Sequence, residues 1–90
     1  HVMRTVEKAE ILRQIGAKIS YHRKIRNMTQ ADLANKISIA YDTLGRIERG
    51  KYNDNIAVPM LIEIAEGLGV DFDVFLKFTD EEKELWRKRD

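Results

Sequence analysis

Arg46 carries the most specific chemistry in this chain. It lies in the stretch Lys36–Gly50, KISIAYDTLGRIERG, with Asp42 four residues before it and Tyr41 beside that acid. A guanidinium is a planar fork of donors, a carboxylate only accepts, and a phenol does both while offering a ring. Such a set recognises polar edges rather than making or breaking bonds. No catalytic set competes with it. There is no Cys, His22 is the one usable histidine, and no Ser–His or His–Glu metal spacing is present. Gly67-Leu68-Gly69 reads as a helix stop, not a phosphate-cradling loop. An enzyme is therefore not expected, and neither a cofactor nor a metal is implied.

The charges point to the kind of partner. The formal net charge of the 90 residues is +1. Residues 1–51 nevertheless hold eleven Lys and Arg against five Asp and Glu, and residues 52–90 hold five against ten. A basic half and an acidic half suggest a face for an anionic partner, although small helical domains also show such asymmetry by chance. The hydrophobic fraction of 43% suffices for one core. No apolar run approaches the roughly 20 residues that span a bilayer. No secretory leader is visible, so the expected compartment is cytoplasmic. His1-Val2 ahead of Met3 reads as an addition before a start, and residues 1–3 are set aside.

The elements that must position Arg46 follow a helical period, with no strand-type alternation. Thr5 can cap a first helix with Glu7 in its first turn, and Val6, Ile11, Leu12, Ile15 and Ile19 line one side. Asn27 suits a left-handed stop. Thr29 caps a second helix, about 29–37, with Asp32 at its positive end and Leu33, Ala34 and Ile37 inward. A break at Ser38-Ile39 leads to a third helix, about 40–49, with Leu44 and Ile47 inward and Gly50 as its stop. Pro59 fits the first turn of a fourth helix lined by Met60, Leu61, Ile64, Ala65 and Leu68 and stopped by Gly69. Val70, Phe72, Phe75 and Leu76 suit a short fifth helix capped by Asp71. Thr79 and Glu82 form a capping box for a last amphipathic helix, 79–90, which carries Leu85 and Trp86.

Two short helices around a tight break are a helix-turn-helix pattern. MTQADLANKISIAYDTLGRIERGK resembles the lambda-repressor-like helix-turn-helix family, also called the xenobiotic-response-element family, and LIEIAEGLGVDFDVFL matches its fourth and fifth helices. The resemblance covers roughly residues 15–76. It implies an all-α, five-helix DNA-binding domain over residues 4–78 with an additional short C-terminal helix. It also implies a transcriptional regulator of the repressor kind, working as a homodimer on a palindromic duplex operator. A protein-interaction module of the same fold, or the antitoxin of a toxin–antitoxin pair, is the alternative, with the C-terminal helix as a possible partner surface.

The same resemblance assigns roles. Tyr41, Asp42 and Arg46 would face base edges in the major groove, with Arg46 presenting its fork to guanine. Thr29, Gln30, Thr43, Arg49, Lys51, Tyr52 and Asn53 would hold the sugar-phosphate backbone. Ala34 allows two helices to approach, and Arg23 with Glu48 would form a partly buried ion pair that orients the third helix. The exposed face of that helix is expected to be Ala40, Tyr41, Asp42, Gly45, Arg46 and Arg49. Asp42 admits three readings: it accepts from a cytosine amino group, bonds the free amides of the helix start in place of Ala40, or pairs with Arg46. The cap-and-orienting roles are favoured over direct readout. Three positions and one loop depart from the family pattern. Ser38 stands where Gly is frequent, Ala40 where Ser or Thr is, and His22 where an apolar residue is, the last reading as a half-buried core histidine. YNDNIA is about two residues longer than usual.

Overall fold

The computed structural model describes residues 5–51, 56–81 and 84, with side chains from Lys8 onward. Among the described residues the chain forms four α-helices and no strand: α1 Thr5–Ile25, α2 Gln30–Lys36, α3 Tyr41–Glu48 and α4 Val58–Leu68. A short 3-10 helix, Phe72–Leu76, follows.

Local chemistry explains where the helices begin and end. At α2 the Thr29 hydroxyl accepts from the Asp32 amide at 3.0 Å, and the Thr29 amide donates to Asp32 Oδ2 at 2.8 Å. This reciprocal capping box satisfies two amides the helix leaves open. It also holds the Asp32 carboxyl below its usual range, first through the Thr29 backbone bond and then through the hydroxyl. Asn27 ends α1 at φ 56° and Gly50 follows α3 at φ 71°, both left-handed. At the end of α3 the Gly50 amide donates to the Ile47 carbonyl and the Lys51 amide to the Arg46 carbonyl, the paired bonds of a Schellman stop. Pro59 sits in the first turn of α4.

The turn between α2 and α3 needs one left-handed residue. Ser38 supplies it at φ 61°, in the region that favours glycine. Thus the departure at this position leaves the tight turn in place. The Ile39 amide then reaches back to the Ala34 carbonyl at 3.0 Å.

The four helices converge on one core. Ile15 and Ile19 come from α1, Leu33 and Ala34 from α2, Leu44 and Ile47 from α3, and Leu61, Ile64, Ala65 and Leu68 from α4. Phe75 closes it from below and is wholly buried. Ile11, Ile37, Ile39, Met60, Val70 and Phe72 pack half-buried around this set.

The fifth helix differs from its expected form. It is a 3-10 helix, and Asp71 holds the cap position without a side-chain capping bond. At three residues per turn, Phe72 and Phe75 share one side. Leu76 then falls off that side and is 52% exposed, rather than inward as its spacing suggests. The C-terminal helix expected over 79–90, with Glu82, Leu85 and Trp86, lies largely outside the described residues, as do Tyr52 and Asn53. His22 is half-buried, in edge contact with the Tyr21 ring at 5.2 Å. Burial lowers its pKa, and nearby Arg26 and Lys18 add to the effect.

Candidate functional site

The polar centre of the molecule is a three-residue network that joins α1, α2 and α3. Arg23 donates from Nε to Glu48 Oε2 at 2.8 Å and from Nη2 to Glu48 Oε1 at 2.9 Å. Its Nη1 bonds the Met28 carbonyl at 2.8 Å. Gln30 Nε2 donates to Glu48 Oε1 at 2.9 Å. The Arg23 and Glu48 side chains are 9% and 5% exposed. The fork-on-carboxylate geometry is the strong kind of ion pair, and burial removes the water that would weaken it. The Glu48 hydrogen bond raises the Arg23 pKa against the opposing effect of burial. No buried side-chain polar atom among the described residues lacks a partner.

This network ties the end of α3 to α1 and to the start of α2. One side of α3 buries Leu44 and Ile47, and the other presents Tyr41, Asp42 and Arg46 to solvent. Tyr41 is 61% exposed although it is a large ring. Asp42 Oδ2 lies 4.0 Å from Arg46 Nη2, the two side chains being 82% and 47% exposed. A pair so exposed and so long adds little stability, but it biases where the guanidinium points. Asp42 makes no capping bond, and Ala40 offers no side-chain cap, so the start of α3 is left without one. The carboxylate is turned along the helix toward Arg46 instead.

The residues expected around this face are placed as follows. Thr29 is exposed, and its hydroxyl accepts from Asp32 within the capping box. Gln30 is half-buried and is held by Glu48 rather than standing free at the start of α2. Thr43 is half-buried, while Arg49 and Lys51 are exposed at the end of α3. Ala34 is buried in the core. Gly45 is a correction to the expected exposed face: it is buried. Without a side chain of its own, it is covered by those of its neighbours, since a Cβ there would meet Arg49 Nη1 at 3.2 Å and Gln30 Oε1 at 3.9 Å.

Two supporting positions escaped the reading of the chain. Gly16, in the middle of α1, lies against the last turn of α3, where an added Cβ would meet the Ile47 carbonyl oxygen at 2.5 Å and that of Glu48 as well. A glycine inside a helical pattern was the available signal, because it weakens a helix and asks for a packing reason. Glu10 is buried on α1, with Arg13 Nη1 at 2.5 Å from its Oε2. No spacing in the sequence marks it. Among the described residues no helix is long and apolar enough to cross a membrane, and no group of acidic and histidine side chains could hold a metal.

Comparison with known proteins finds relatives of one family. A family model described as helix-turn-helix, HTH_3, matches residues 19–75. An uncharacterised HTH-type transcriptional regulator of Methanocaldococcus jannaschii is 34% identical over 65 residues, 72% of this chain and 96% of that protein. Another, from Archaeoglobus fulgidus, is 33% identical over 63 residues, 70% of this chain and 83% of that one. Among solved structures, an HTH_3 family transcriptional regulator from Vibrio cholerae superposes with a TM-score of 0.70 at 27% identity over 87% of this chain. The chain spans 42% of that protein's length. A mutant of the restriction-modification controller protein C.Esp1396I gives 0.66 at 29% identity, covering 89% of this chain and 95% of that one.

Proposed function

The chain belongs to the HTH_3 helix-turn-helix family, and from that premise we propose that it is a sequence-specific, duplex-DNA-binding transcription regulator of the repressor kind. The observation that carries the reading is the two-sided build of α3. Its inner side is locked by the core and by the Arg23–Glu48–Gln30 network, while Tyr41, Asp42 and Arg46 stand outward together. A rigid helix with a polar outer face is what major-groove readout requires. In this reading Arg46 forks onto a guanine, with Asp42 aiming it. Tyr41 offers its hydroxyl and ring to the neighbouring base. Thr29, Gln30, Thr43, Arg49 and Lys51 hold the phosphates on either side. One short helix contacts few base pairs, so two copies of the chain act together on a two-fold operator. The half-sites then lie about 34 Å apart, one turn of the duplex.

Selection of bound duplexes from a random pool tests this directly. A palindromic consensus is the expected result; no enrichment would instead favour a protein-interaction module or an antitoxin working through another surface. Two substitutions separate reading from gripping. Arg46→Ala is expected to lose about 1–3 kcal/mol of operator affinity and to relax preference at one base pair. An anisotropy titration against operator variants reads both, and unchanged affinity with unchanged preference would remove Arg46 from the reading face. Lys51→Ala is expected to weaken all duplexes alike and to flatten the slope of log affinity against log salt by about one unit. A loss confined to the operator would contradict its assignment to the backbone.

A further inference from the structure

Gly45 lies in the middle of α3, at the seam with the start of α2, and is buried despite having no side chain. The atoms that a Cβ there would meet are Nη1 of Arg49 at 3.2 Å, Cζ of Arg49 at 4.0 Å and Oε1 of Gln30 at 3.9 Å. The Arg49 guanidinium has therefore folded back one turn along α3 and rests on the bare backbone of Gly45. Gln30 bounds the other side of that bed, with its amide fixed by Glu48. The Glu48 carboxylate is already engaged by Arg23 and Gln30. Arg46 is turned to Asp42. Arg49 is exposed and makes no ion pair with a carboxylate among the described residues.

We propose that Gly45 is a positioning residue for Arg49: the missing side chain makes the bed that holds this guanidinium beside Gln30, where it takes one phosphate of the duplex backbone. The inference rests on the DNA-binding reading above and adds a part to it. A glycine costs a helix some stability relative to alanine, and here the gap it leaves is filled by a cation. Arg49 then differs from Arg46 in kind. Arg46 extends from the helix with its aim set by an acid, whereas Arg49 lies along the helix with its position set by an absence. A phosphate oxygen accepts from the Arg49 fork, and the second Nε2 hydrogen of Gln30 remains for the same group.

The test uses the full chain and a duplex lacking the operator, titrated over a range of salt. Arg49→Ala is expected to lower the log–log salt slope by about one unit. Gly45→Ala is expected to lower affinity in the same direction, with its thermal midpoint equal to that of the wild type or higher. The midpoint holds because alanine favours the helix and the far end of Arg49 moves aside easily. In the Arg49→Ala background, Gly45→Ala is expected to change nothing further, since the residue it positions is gone. A folded Gly45→Ala chain with wild-type affinity and slope would overturn the proposal, as would a full extra loss in the double variant. If Gly45→Ala does not fold, the Gln30→Ala and Arg49→Ala pair decides: non-additive losses support the shared site and additive ones reject it. Failure of the wild-type chain to bind any duplex would reject the DNA reading itself, an outcome visible in the same titration.

Discussion

Glu48→Ala is expected to lower the stability of the domain by about 3–5 kcal/mol, the cost of removing one partner of a buried ion pair. The substitution strands Arg23, which is 7% exposed and directs Nε and Nη2 at this one carboxylate. It also removes the acceptor of the Gln30 amide, so the link between α2 and α3 goes with the link between α1 and α3. A domain of this size is stable by only about 5–15 kcal/mol, so the loss would bring it close to unfolding at ordinary temperature. Urea unfolding followed by circular dichroism measures it. Replacing the pair together, Arg23→Met with Glu48→Leu, is expected to recover much of the loss, because no charge is then left buried without a partner. The same double variant should bind DNA more weakly than its stability alone explains, since Gln30 has lost its tether. Equal midpoints for Glu48→Ala and the wild type would show that the network contributes nothing to the fold.

Gly16→Ala carries the second large expected effect. An alanine methyl would press into the carbonyl oxygens of Ile47 and Glu48 on the last turn of α3. Backbone oxygens cannot rotate away as a side chain does, so α1 and α3 must separate. Alanine gains about 1 kcal/mol over glycine in helix propensity, and overpacking of this kind costs typically about 1–3 kcal/mol or more. The clash at 2.5 Å from the Ile47 oxygen is severe, so the expected balance is a net loss. For a domain of this length each kcal/mol lowers the thermal midpoint by about 4–8 °C. The displaced α3 is expected to weaken binding to every duplex, including those that differ only at the bases Arg46 reads. A raised midpoint with unaltered binding would mean that α1 and α3 have room the structure does not show.

How much of this was legible in advance depends on the range of the interaction. The helix limits were legible because their causes are local. Thr29 and Asp32 stand three residues apart and cap each other, and Asn27, Gly50 and Gly69 take the left-handed conformation that stops a helix. Pro59 starts α4 for the same kind of reason, its ring setting the backbone angle of a first turn. The pairing of Arg23 with Glu48 spans 25 residues. The family resemblance implies that pair; spacing alone does not. Asp42 and Arg46 stand one helical turn apart, and their approach follows from the period of the helix.

The sequence by itself determined an all-helical chain with a break at Ser38, a cation-rich first half and one exposed polar face on α3. Those features rest on residue type and on the 3.6-residue period, which any segment carries with it. The tertiary structure alone decided what lies across the gaps between helices. It gave Gln30 to Glu48, 18 residues away. It laid Arg49 over Gly45 and set Gly16 against the end of α3. It also tightened residues 72–76 into a 3-10 turn, with Phe75 inward and Leu76 left outside. Each of these depends on the angle and distance at which two helices cross, and a glycine or an amide signals neither until its neighbour is in place.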